Sequence, residues 1–157
     1  MTTKKTPPIK RHTALQPLSR EHHHGLLLAW KIRSGLSKAV AHERIKAYSD
    51  WFFEKYLLPH FEMEERHIFP FLGDKEHPMV KRALREHRRL RRLFSAGEEL
   101  SKNLSLIEEE LTAHIRYEER VLFNEVQRVA TPEQLSEVER LHQGQPFVED
   151  WEDKFWE

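Results

Sequence analysis

The sequence contains no cysteine, which excludes disulfides, thiolate metal sites, iron–sulfur clusters and cysteine nucleophiles. Glycine is scarce, at five in 157 residues, and the eight prolines gather at the start and at the apparent ends of elements. So little of either favours long helices over a sheet rich in tight turns. Long hydrophobic runs are missing too, since none approaches the ~20 residues that a membrane span needs. The opening stretch, MTTKKTPPIKRHTALQP, has neither the apolar centre nor the small-residue cleavage site of a signal peptide. The expectation is a soluble cytoplasmic protein. Neither sign of charge is in excess, because Lys+Arg and Asp+Glu both number 26. That balance gives no global argument for nucleic acid or an anionic membrane as partner. Hydrophobic residues, at 38%, suffice for one core, and the length suits a single bundle domain.

What the chain has in abundance is histidine, eleven in all. Histidine is the commonest metal ligand and titrates near neutral pH. Its placement on the helices is therefore the informative feature.

Residues 1–16 are polar, proline-containing and aperiodic, and read as a flexible arm. A first helix is expected from near Leu18, with a stripe of Leu18, Leu26, Ala29, Ile32 and Leu36, ending near Gly35. The second spans about Val40 to Phe69, stops at Pro70, and should kink at Pro59, which has no N–H to give the carbonyl four residues back. The third opens at Pro78 and runs to near Leu100; the fourth runs from near Asn103 to about Val129. Thr131-Pro132-Glu133-Gln134 has the form of a capping box and should open a short helix ending before Gly144. The aromatic tail, with Phe147, Trp151, Phe155 and Trp156, either packs back on the bundle or presents a partner surface. These elements predict an all-α, up-down-up-down four-helix bundle over residues 17–130, with a short helix and aromatic tail over 131–157.

Two internal echoes support related halves. HFEMEERHIFPF from His60 aligns with HIRYEERVLFNE from His114, an offset of 54, and Arg20-Glu21-His22 matches Arg85-Glu86-His87. Residues four apart stack on one helix face, so His60 lies with Glu64 and His114 with Glu118. Both pairs fall within apolar stripes, and His87 does so between Leu84 and Leu90. On the first helix His22 and His23 are both placed to face the core, and His24 points away. Burying carboxylates without partners costs several kcal/mol each, a large share of a domain's ~5–15 kcal/mol of stability. Divalent cations would compensate directly, as imidazole and carboxylate are good ligands for iron, zinc and manganese. A lone core histidine is more often a satisfied core residue than a ligand. Two copies of H-x-x-x-E-E with stripe histidines on both other helices are not explained that way.

REHH on the first helix, HFEMEERHIFP on the second, REHRRL on the third and HIRYEERVLF on the fourth make the chain resemble the hemerythrin-like, HHE cation-binding domains. The resemblance spans about Leu18 to Val129. It implies a four-helix bundle with a non-haem di-iron centre, oxo- or hydroxo-bridged when oxidised. His60, His87, His114 and either His22 or His23 would be iron ligands, with Glu64 and Glu118 bridging. Oxygen-carrying members have a further histidine four residues after the one on the third helix; here that position is Arg91. The four-histidine, two-glutamate pattern is similar to members linked to nitrosative stress and repair of iron centres. The expected ligand is therefore a small molecule, O₂, NO or peroxide, met by redox chemistry rather than reversible transport. The alternatives are iron sensing or storage, and a metal-stabilised interaction module.

Remaining features are weaker. His67 could be a late extra ligand, though a supporting or exposed position fits it better. Glu65, Glu119 and Tyr117 are candidates to hydrogen-bond the ligand imidazoles or to form surface ion pairs. Lys81, Arg82, Arg85, Arg88, Arg89, Arg91 and Arg92 on the third helix read as a solvated face, with no stacking aromatics or nucleic-acid motif beside them.

Overall fold

The computed structural model describes residues 10–157. Among the described residues there are five helices and no strand. We number them α1 (Gln16–Ser37), α2 (residues 42–71), α3 (Pro78–Ser95), α4 (residues 100–129) and α5 (Pro132–Leu141). None is long and apolar enough to cross a membrane.

The apolar stripes close into two clusters. One gathers Leu28, Ile32, Tyr48, Phe52, Leu57, Phe61, Leu90, Phe94, Ile107 and Leu111. The other gathers Leu15, Leu18, Ile68, Phe69, Val80, Ala83, Leu122, Phe123 and Val126, with Leu135 and Val138 of α5. The order in which the chain meets the clusters reverses from each helix to the next, so α1 to α4 run up-down-up-down. His22, His60, Glu64, His87, His114 and Glu118 form a buried polar layer between the clusters. α1 lies most closely along α4, helped by Gly25: a Cβ there would come within 2.8 Å of Ile115 Cδ1.

Local departures from the expected elements have physical reasons. α2 continues through Pro59. A π-turn, Phe53–Leu57, lies just before it, and the Leu58 N–H bonds the Phe53 carbonyl five residues back. Two further π-turns, Glu64–Ile68 and Glu118–Leu122, begin at the two core glutamates, so the repeat at offset 54 extends to backbone geometry. α2 passes through Pro70 in a final 3₁₀ turn, Phe69–Phe71. α3 stops at Ser95 rather than near Leu100, because Ala96 turns extended, and α4 begins at Leu100 behind Glu99 at φ 46°. The capping box forms as expected, with Thr131 Oγ1 accepting from the Gln134 N–H.

The arm expected over residues 1–16 lies in part, residues 1–9, outside the described residues. From residue 10 onward the chain is docked rather than loose. Ala14 and Leu15 are fully buried, and the Arg11 guanidinium donates to the Glu119 carbonyl and Gln127. The aromatic tail packs back on the bundle. Phe155 and Trp156 join the first cluster, and a Cβ on Gly35 would come within 2.9 Å of Phe155. The buried Lys31 ammonium anchors it, meeting Glu149, the Tyr48 hydroxyl and the face of Trp156.

Candidate metal centre

The polar layer resolves into two groups of donor atoms, each able to hold a metal ion: His22, His60, Glu64 and Glu118, and Glu64, His87, His114 and Glu118. The ligand-bearing atoms within each group lie within 4.8 Å of one another. Both glutamates are fully buried and belong to both groups, as a pair of bridging carboxylates requires. Glu64 Oε1 is 3.3 Å from Nε2 of both His60 and His87, and its Oε2 is 3.6 Å from His22 Nε2. Glu118 Oε1 is 3.0 Å from His22 Nε2 and 3.1 Å from His114 Nε2.

Around this layer runs a ring of outer carboxylates, each taken from the preceding helix. Glu21 of α1 accepts from His60 Nδ1 at 2.8 Å, and Glu65 of α2 from His87 Nδ1 at 2.6 Å. Glu86 of α3 accepts from His114 Nδ1 at 2.8 Å, and Glu119 of α4 closes the ring on His22 Nδ1, also at 2.8 Å. An ionised carboxylate only accepts, so the network assigns the hydrogen to each Nδ1. In the neutral rings this leaves all the Nε2 lone pairs facing inward. His87 Nε2 and His114 Nε2 stand 3.1 Å apart, where two lone pairs would repel unless a proton or cation stood between them. His60 Nε2, both Glu64 oxygens and Glu118 Oε2 are buried without a hydrogen-bond partner. The donor set therefore fits divalent cations held by nitrogen and oxygen.

A family model described as the hemerythrin HHE cation binding domain matches residues 13–96, more than half of the chain. The chain belongs to this family. Neither a curated protein nor a solved structure matches it. The hemerythrin match carries His22, His60, Glu64 and His87 and ends before His114 and Glu118. Geometry alone brings the last two into the hemerythrin-like centre.

Of the sequence candidates, His22, His60, Glu64, His87, His114 and Glu118 meet in the layer, and His23 does not. His23 is exposed because it lines up with Leu27 and Trp30, themselves 38% and 58% exposed, whereas His22 lines up with the buried Leu15, Leu18 and Ala29. His24, outside the layer, is half-buried: it stacks on Phe147, ring centroids 4.3 Å apart, with Nδ1 buried and unpartnered. His67 is half-buried and outside both groups. Glu65 and Glu119 take the expected places beside imidazoles, but Tyr117 lies under the Arg82 guanidinium, 3.8 Å from its ring centroid. Arg91 clamps Glu65 through both terminal guanidinium nitrogens and so supports His87 from outside. Arg82 braces Glu86, and Ser19 braces Glu119. Arg82, Arg89 and Arg91 of the basic face are thus engaged in ion pairs. Glu21 and Glu86 were the functional residues that sequence reasoning missed. Their signal was the REH echo.

The electrostatics show the same demand for positive charge. Burial lowers the imidazole pKa of His60, but the nearby charge of Glu64 and the hydrogen bond that Nδ1 donates to Glu21 outweigh it and push it up to about 9. For His114 burial is likewise outweighed, by Glu118, Glu86 and Glu64, and its pKa rises to about 10. His22 is raised well above its ordinary range, against burial, by Glu118, Glu119 and Glu64. Burial would raise Glu64, yet His60, His22 and His87 hold it well below the carboxylate range. Protons and metal ions thus compete for the same nitrogens.

A pH prediction follows for the metal-free protein. A histidine pKa raised by folding adds stability that is complete below the unfolded value of about 6.5 and lost as pH rises through the folded value. The metal-free melting temperature should therefore fall between pH 7 and about 10, the region set by His60 and His114. With metal bound the trend should reverse, the protein weakening on acidification as protons displace the ions. Thermal melts of stripped and loaded protein across this range check both slopes.

Proposed function

We propose that the protein holds two non-haem iron ions in this layer and that the centre reacts with a small molecule, O₂, NO or peroxide, in an oxidative or nitrosative stress response. The observation that carries the reading is the convergence of inward-facing Nε2 atoms on two shared, fully buried carboxylates whose oxygens lack hydrogen-bond partners. His22 and His60 would hold one ion, His87 and His114 the other, and Glu64 and Glu118 would bridge them. Iron bound there would supply one-electron chemistry and coordination positions left open by so small a protein ligand set. The outer carboxylates fix the tautomer and orientation of each ring and raise its basicity. The two apolar clusters keep bulk water from the layer.

Arg91 favours redox chemistry over oxygen transport, since it supports Glu65 from outside instead of offering a further ligand. The interaction-module alternative loses its main feature, because Phe155 and Trp156 are buried against the bundle. Elemental analysis of the purified protein, with absorption spectra of the reduced form after separate exposure to O₂ and NO, tests the proposal. Two irons per chain, a spectral response to NO, and oxidation by O₂ are expected. A stable, fully reversible oxygen adduct would overturn the redox reading, and absence of bound metal would overturn the whole.

A further inference from the structure

The four imidazoles of the layer are all buried, but their surroundings differ. His87 is fully buried, with Phe61 stacked on its ring at 3.9 Å and Phe69 at 5.5 Å. Its outer carboxylate is clamped by Arg91. His60 differs, because its outer carboxylate, Glu21, is met by His142, a residue from just beyond α5 whose Nε2 is 3.1 Å from both carboxylate oxygens. Beside this contact lies an outer cavity of about 300 Å³ between α1 and the segment after α5, with Arg20, Glu21, His24, Gln143, Gln145 and Phe147 in its wall. A much narrower space of about 10 Å³ shares Glu21, His24, Gln145 and Phe147 with it and is lined by Leu57 and His60 as well. Gly144, at φ +84°, stands at the turn before Gln145 and Phe147, which line both spaces. Its conformation is one that side-chain-bearing residues rarely adopt.

The size and lining of the inner space say what can pass. A space of ~10–15 Å³ is the least that holds one water, so only a molecule of about that size fits without movement of the walls. Phe52, Tyr56, Leu57 and Phe147 make most of the wall apolar, and the Glu21 carboxylate would repel an anion. The unpartnered His24 Nδ1 and the Gln145 amide add polar groups along the way. We propose that the two cavities form one access path for a small neutral molecule to the His22/His60 half of the centre, with Gln145 and Phe147 as its outer wall. The inference rests on the reading of the layer as a metal centre. On the other side of the layer, Phe61 and Phe69 pack on the His87 ring.

Two measurements on the full chain test this. The first needs no reactive metal: methyl NMR of the zinc-loaded protein, or of the protein as isolated if it holds none, under dissolved O₂. Paramagnetic broadening should be several-fold greater at Leu57 than at the buried Leu111 of α4. Gln145→Trp, at an exposed position, should remove most of that excess, and Gln145→Ala should increase it at Leu57 while leaving Leu111 unchanged, a selectivity that a loosened fold would not give. Equal broadening at Leu57 and Leu111, or no response to either substitution, would overturn the path. The second is rapid mixing of the reduced, iron-loaded protein with NO. Gln145→Trp should slow association about tenfold with two irons still bound, and an unchanged rate would overturn the path. If Leu57 broadens as expected but the loaded chain ignores NO, the path stands and the proposed function fails.

Discussion

Replacing Glu64 with alanine is expected to reduce bound metal from the two ions per chain proposed above to one or none. Its two oxygens lie within 3.3–3.6 Å of Nε2 atoms from His22, His60 and His87, so no other side chain can take over its position in both groups. Alanine would leave each group with two imidazoles and Glu118 alone, and would remove one of the two carboxylates that neutralise the ions. The comparison that gives the result meaning is Glu65→Gln. Glu65 touches His87 only through Nδ1, so its loss should leave both ions in place and weaken affinity by ~10–100-fold, the usual effect of removing a partner behind a ligand. Elemental analysis after desalting gives the stoichiometry, and calorimetric titration gives the affinities. Two ions bound at undiminished affinity in Glu64→Ala would remove this residue from the centre.

Removing the metal should lower the melting temperature by about 8–16 °C. Free metal at a thousand times its dissociation constant stabilises a folded protein by about 4 kcal/mol, and for a chain of this length each kcal/mol is worth about 2–4 °C. The layer gives this linkage a structural cause. Six buried polar side chains separate the two apolar clusters, and without cations the clusters are joined across mutually repelling lone pairs or a set of raised-pKa imidazolium protons. Differential scanning calorimetry of loaded and chelator-treated protein at pH 7.5 measures the difference. Equal melting temperatures would mean that the layer is satisfied by protons alone.

Helical periodicity made the bundle legible, because each stripe repeats over several turns and hydrophobic burial reads only that repeat. The register of the histidines followed from the same stripes. On α1, however, two adjacent histidines both had apolar neighbours, and only packing distinguished them: Trp30 marks a solvent-facing line, which the sequence could not reveal. The π-turns were hidden because each adds only one residue to a turn within a continuous helix. The end of α3 did carry a signal, Gly97 just past Ser95 and Ala96, and the expected end near Leu100 passed over it. Glu21 and Glu86 were visible as letters in the echo but not as partners, since each serves a histidine on the next helix, 39 and 28 residues away. Contacts of that range are products of the fold and leave no local periodicity.

The ring of carboxylates has a consequence for how the protein is made. Its last contact joins Glu119 to His22, and Glu118 belongs to both donor groups. A nascent chain still lacking these residues has most of the imidazoles but neither group complete. While α4 remains in the ribosomal tunnel, the emerging helices offer only weak, partial holds on a cation. A metal held by either complete group would therefore load after synthesis of the bundle, when the fourth helix settles against the first.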